Sequence, residues 1–159
     1  MLSRFLAAPR RGHLDQVFHV FANLKKYGKL SMVFDDQEPE FDEARFQKCD
    51  WSEYYPSASE DIPLNAREVR GKSVTMSCFV DADHAGCHVT RQSQTGVLIY
   101  VKCAPILWFS KRQNTVETST FGSEFVAARI AVEMVEGLRY KLRMMGVQLT
   151  SGWAHKCLL

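Results

Sequence analysis

The sequence of 159 residues has the length of one ordinary domain, or of one domain with an appendage, and its 46% hydrophobic content is normal for a chain that buries a core. Its formal net charge is only +2, yet residues 1–34 hold six Lys/Arg against one acid, residues 35–70 eleven acids against four bases, and residues 71–159 ten bases against six acids. This unevenness leaves a nucleic-acid partner open, while the odd count of five cysteines without a C-x-x-C pair argues against a disulfide scaffold and for reduced thiols.

In chain order, "MLSRFLAAPRRGH" has too short an apolar core for a signal peptide, and no run approaches the roughly 18 apolar residues of a membrane span. A soluble chain, cytoplasmic or nuclear and with no membrane partner, is expected. Leu14, Val17, Phe18, Phe21 and Leu24 recur at helical spacing before Gly28, which predicts a helix over about 13–26. Residues 35–70 are acidic, contain Pro39, Pro56 and Pro63 and show no sustained period. They read as a connector, with Trp51, Tyr54 and Tyr55 expected to pack part of it down. Short β-type runs follow, predicting strands at about 73–82, 95–102 and 105–110, with a tight connection between the last two, as in an antiparallel meander. A helix is predicted from about 119 to 145. Its stripe is read as Phe121, Phe125, Ala128, Val132, Val135, Leu138, Leu142 and Met145, and Gly146 stands where a left-handed cap belongs. Three strands followed by one long helix is an α+β arrangement. Past Gly146 another strand could begin.

The run "MSCFVDADHAGCHVT" raises the question of chemistry. Asp81 falls near the end of the first predicted strand, and Asp83 points to the same face of it. Glu124 lies early in the long helix, on the border of the apolar stripe. Each carboxylate has a bland reading: a solvated strand-to-turn boundary for the aspartates, and an acid favoured by the helix dipole for Glu124. Taken together, they interest because a helix burying its stripe on the sheet can bring Glu124 to the end of that strand. Hard divalent cations such as Mg²⁺ prefer that kind of oxygen cluster. His84, Cys87 and His88 invite a zinc reading, but their spacing is poor and no second Cys/His pair lies at zinc-finger distance. Arg91, Lys111 and Arg112, at strand ends, are candidates for phosphate contacts.

The blocks "FVDADHAG", "TRQSQTGVLIYV" and "APILWFSKRQNTVETSTFGSEFVAARIAVEMVEGLRYKLRMMGV" occur in the order and spacing of a known family. They resemble the ribonuclease H domain of copia-type LTR retrotransposon polyproteins. "LSRFLAAPRRGHLDQVFHVFANLKKY" is similar to the segment that ends the reverse transcriptase in the same polyproteins. The resemblance therefore implies a reverse-transcriptase-end segment at 1–34, an acidic connection at 35–70, an incomplete ribonuclease H-like domain at 71–147 and an atypical tail at 148–159. It further implies hydrolysis of the RNA strand of an RNA/DNA hybrid with two Mg²⁺ ions. By position, Asp81 is the strand aspartate expected to touch both metals, Glu124 is the helix glutamate, and Asp83 has a supporting role. The hybrid would be held by basic residues such as Arg91, Lys111 and Arg112 through its backbone and 2′-OH groups. The rest of a polyprotein is the implied partner.

Two departures bear on activity. Gly122 stands where the family usually carries an acid, so the capping box from Ser119 is missing, and glycine weakens a helix by about 0.5–1 kcal/mol. No Asp or Glu follows Glu136, whereas the family places a third metal-binding aspartate on the strand after the long helix and a fourth acid near the domain's end. The tail "TSGWAHKCLL" does not look like the family and reads as a shifted frame or a gene-model end. The expectation is a ribonuclease H domain fragment, inactive alone; the alternative is a degenerate remnant or weak nucleic-acid-binding module.

Overall fold

The structure, a computed structural model, describes residues 8–40, 53–57 and 62–150, together with the backbone of residues 157–158. It comprises two compact units, residues 1–32 and 33–159.

The first unit holds one helix, α1 (Arg11–Tyr27), close to the predicted span. At its start the Arg10 N–H donates to His13 Nδ1 at 3.0 Å, and Lys25 and Lys26 place positive charge at its C-terminal end, where the helix dipole favours it. No residue of α1 is buried, and Leu14, Phe18, Phe21 and Leu24 are all exposed.

The second unit is α+β. Its strands are β1 (Arg70–Val74), β2 (Met76–Asp83), β3 (Gln94–Val101), β4 (Ala104–Arg112), β5 (Val147–Leu149) and β6 (Cys157–Leu158), and its helix is α2 (Thr120–Met144). The antiparallel meander β2-β3-β4 forms as the apolar runs and turns predict, with Cys78 opposite Ile99 and Ile99 opposite Leu107. Lys102 and Cys103 alone join β3 to β4. Lys102 takes a positive φ of 55° there, and its ammonium reaches the Asp36 carbonyl at 2.9 Å. The backbone of β6 runs parallel to β2 on the sheet's other side. Separately, β1 pairs in parallel with β5, an arrangement that the polar "RGKSV" of β1 does not announce.

Strand alternation decides what α2 covers. Met76, Cys78, Val80 and Ala82 leave β2 on one face, join Val97 and Ile99 of β3, and form one buried cluster with Ala127, Ala131 and Val135 of α2 and Leu149 of β5. The expected helix stripe needs correction here. The buried positions of α2 are Ser123, Ala127, Ala131, Val135 and Arg139, whereas Phe121, Phe125 and Val132 are 75%, 64% and 45% exposed. The reason is steric: a helix lying close on a sheet needs small residues at the line of contact, and the i, i+4 series Ser-Ala-Ala supplies them. Val135, Leu138 and Leu142 of the expected stripe do contribute to the core or pack against it. The aromatic connector residues also differ from expectation: Tyr54 and Tyr55 are exposed, and Trp51 lies outside the described residues.

Both ends of α2 are set locally. Ser119 Oγ accepts the Gly122 N–H at 3.1 Å, so the N-cap works without the reciprocal acid. Glu117 folds over Gly122, and a Cβ there would stand 3.2 Å from the Glu117 Cβ. Gly146 terminates the helix at φ +80°, and a side chain there would meet the Glu68 carbonyl at 2.7 Å. That close approach lets the Arg70 N–H donate to the Gly146 carbonyl at 2.9 Å, which starts the β1-β5 pairing.

Candidate functional site

Asp81 and Asp83 alternate with Val80 and Ala82, so both leave β2 on the face turned away from the α2 contacts, and both are exposed. Asp81 pairs with Gly96 of β3, which has no side chain to shield it. The Asp83 carboxylate folds back over its own turn: a Cβ on Gly86 would fall on it. Glu124 is half-buried, one position past the buried Ser123 and one turn into α2. Among the described residues, no three His, Cys, Asp or Glu side chains converge to hold a metal ion. Asp81, Asp83 and Glu124 therefore do not assemble a three-carboxylate cluster. A two-Mg²⁺ centre needs carboxylates on both cations, so these three residues would hold one only together with further acids.

His84 and Cys87 of the β2-β3 turn have other partners. His84 Nδ1 and Ser123 Oγ lie 2.9 Å apart, tying the turn to the first turns of α2, and Ser123 Oγ also donates to the Thr120 carbonyl at 2.9 Å. The Cys87 thiol is lowered from its ordinary value of 9.0 to about 7, first by the Thr90 hydroxyl, then by the Thr90 and Val89 N–H groups, with a smaller contribution from Arg112. Because these groups stabilise the thiolate, the rate of Cys87 alkylation by iodoacetamide is expected to be half-maximal near pH 7. Replacement of Thr90 by valine moves that midpoint upward, toward 9.0, as read by mass spectrometry of the labelled peptide. A midpoint unmoved by Thr90→Val would contradict the assignment.

Of the basic candidates, Lys111 and Arg112 share one cavity, whose lining does not include Arg91. Arg91 sits in the β2-β3 turn at φ 57°, its N–H donating to the Cys87 carbonyl at 2.6 Å. Lys111 and Arg112 line a cavity of about 330 Å³ between the end of β4, residues 113–117 and the flank of α2. Phe109, Phe125, Val126 and Ile130 give it apolar walls, and Arg129 adds a third cation. Sequence reasoning marked "KR" after the last strand but missed Phe125 as a surface residue and Arg129 altogether. Both lie more than a dozen residues further on, and only the packing of α2 brings them alongside.

The cavity wall is held by a buried polar network. Gln113 donates from its N–H to the Ser93 carbonyl at 2.8 Å and from Nε2 to Thr95 Oγ1 at 3.1 Å and the Ser123 carbonyl at 2.8 Å. Ser93 Oγ in turn accepts the Ala85 N–H at 3.0 Å, and Gln92 Nε2 donates to the Asn114 carbonyl at 3.3 Å. The strand ends, the turn and the start of α2 are thus joined at one point.

No helix among the described residues is long and apolar enough to cross a membrane. Over 58 residues the chain is 38% identical to an uncharacterized mitochondrial protein of Arabidopsis thaliana, a stretch that covers 36% of this chain. The chain spans 24% of the length of that relative. No protein-family profile matches the chain, and no solved structure does.

Proposed function

We propose that this chain is a ribonuclease H-like portion of a copia-type retrotransposon polyprotein, working in the cytoplasm or nucleus, and that alone it binds an RNA/DNA hybrid without cutting it. The observation that carries the reading is one of order and placement. The quoted blocks fall on a three-stranded meander followed by a long helix lying on it, with Asp81 near the outgoing end of β2 and Glu124 near the start of α2. In this reading Asp81 and Glu124 are the catalytic carboxylates of the full-length protein, Asp83 supports them, and Arg91, Lys111 and Arg112 contact phosphates.

The loss of cutting follows from the acids. Two-metal hydrolysis needs carboxylates on both cations to fix their separation and offset their repulsion. Asp83 hangs from the same strand end as Asp81 and approaches from the same side, so it cannot replace a ligand from elsewhere. No acid follows Glu136 to supply one.

The test is a cleavage assay with Mg²⁺ and a labelled hybrid, comparing this chain with its Asp81→Asn and Glu124→Gln variants, alongside hybrid binding at several salt concentrations. The expected result is no RNA cleavage by any of the three, and binding that weakens steeply with salt. Replacing Lys111 or Arg112 by alanine reduces the salt slope by about one each. Mg²⁺-dependent cutting lost in either carboxylate variant would overturn the inactivity. Absence of hybrid binding at low salt would overturn the reading itself.

A further inference from the structure

We infer that the cavity beside α2 takes one nucleotide of a single-stranded nucleic acid, its base laid on Phe125 and its phosphate held among Lys111, Arg112 and Arg129. The inference rests on the nucleic-acid reading above but assigns a different ligand, to a set of residues that shares Lys111 and Arg112 with it and adds Phe125 and Arg129.

Shape excludes a duplex from the cavity itself. At about 330 Å³ it lies at the lower end of the range for small-ligand sites, room for a single nucleotide and not for the width of a paired helix. The walls divide by chemistry: Phe109, Phe125, Val126 and Ile130 are apolar, whereas Lys111, Arg112, Gln113, Asn114 and Arg129 carry cations or amides. An unpaired nucleotide has that same division, a flat apolar base face joined to an anionic phosphate.

The aromatic side of the site is exposed where burial would be the cheaper arrangement. Phe121 and Phe125 stack on each other with centroids 6.3 Å apart and planes at 24°, and both rings stand in water although the sheet face lies one helix stripe away. Such a pair is a platform for base stacking, which tolerates any sequence because every base has a π-face. The charge is complementary to a phosphate: three cations line the cavity against one acid, Glu117. Glu133 holds Arg129 from outside through a 3.7 Å ion pair, leaving Lys111 and Arg112 as the stronger anion contacts. The Gln113 network keeps the 113–117 wall in place against α2, so the ligand would not have to order it. An acidic, apolar peptide segment would match the rim charge but not the stacked pair, which presents flat faces to a planar group.

The experiment measures fluorescence anisotropy of the full chain with labelled oligo-dT, oligo-U and an RNA/DNA hybrid of equal length, with inorganic phosphate and a nucleoside monophosphate as competitors. Single strands of both sugars are expected to bind. Phe125→Ala is expected to weaken single-strand binding about tenfold, the size of one lost base–aromatic stack, to leave hybrid binding within about twofold and to leave the melting temperature unchanged. Phe125→Tyr retains affinity. The monophosphate displaces the strand at concentrations where inorganic phosphate does not. Hybrid binding without single-strand binding would overturn this inference and leave the hybrid reading standing; single-strand binding without hybrid binding would do the reverse. Equal loss of both ligands in Phe125→Ala, or displacement by phosphate as readily as by the monophosphate, would also overturn it.

Discussion

Replacing Ala131 by leucine is expected to destabilise the protein by about 1–3 kcal/mol, whereas replacing the larger and more hydrophobic Phe125 by alanine changes stability by less than about 0.5 kcal/mol. Hydrophobicity alone predicts the opposite order. Ala127 and Ala131 are 0% exposed and belong to the cluster that includes Val97 and the fully buried Ile99, so their methyl groups mark where α2 lies closest to the sheet. The extra heavy atoms at Ala131 have no void to enter and must lift the helix or force neighbouring side chains off their rotamers. Phe125 is 64% exposed and its truncation opens no interior space. Urea titrations at equal slope measure both changes through the midpoint. A Phe125→Ala variant less stable than Ala131→Leu would show that the packed face of α2 has been assigned to the wrong side.

The same helix shows where sequence reading succeeds and where it stops. Its span, its Ser119 start and its Gly146 end were legible, because capping and the left-handed terminus depend on residues that are neighbours in sequence. Its buried face was not, because the sequence carries two interleaved apolar series. The eye follows Phe121, Phe125 and Val132, whereas contact with a sheet selects Ser123, Ala127 and Ala131 for their small size. The meander was legible for a related reason: in β2 and β3 the run of buried positions and the turns between them are local signals. The parallel pairing of β1 with β5 joins segments far apart in the chain: Ser73 and Val74 fall in the strand predicted at 73–82, but the structure ends β1 at Val74, opens β2 at Met76 and gives β1 a partner that no local signal marks. At the site, residue types and their element positions were legible for Asp81, Glu124, Lys111 and Arg112. Which of them meet was not. Strand parity places Asp81 away from the α2 contacts, and helix phase brings Arg129 and Phe125 to the basic residues instead.

Replacing Gln113 by glutamate, a change of one group with no change of shape, is expected to cost about 3–5 kcal/mol at neutral pH, the usual penalty of an uncompensated buried charge. Gln113 is almost fully buried, and its amide nitrogen donates both to Thr95 Oγ1 and to the Ser123 carbonyl, while its Oε1 is buried without a hydrogen-bond partner. A carboxylate in that place keeps the orphaned oxygen, loses two donors and turns a second negative oxygen toward the Ser123 carbonyl. Burial and that repulsion both favour the protonated acid, so the introduced carboxyl group has a folded-state pKa above the ordinary glutamate value of about 4.3. The sign of the pH dependence follows. Stability of the variant is highest below the unfolded-state value, where the acid is neutral in both states and can still donate one hydrogen bond. That stability is lost as pH rises from the unfolded-state value through the raised folded-state value. Urea unfolding of Gln113→Glu and the parent chain at about pH 4.5 and about pH 7.5, on either side of the rise, separates this from a merely local loss of fit: the gap between them is expected to be at least about twice as wide at the higher pH. An equal gap at both values would mean that residue 113 is reached by water and that the strand ends and the start of α2 are not held together through it. Gln113→Leu supplies the control without charge, since it fills the same space, strands only the Ser123 and Thr95 acceptors, and is expected to cost about 1–3 kcal/mol with no dependence on pH.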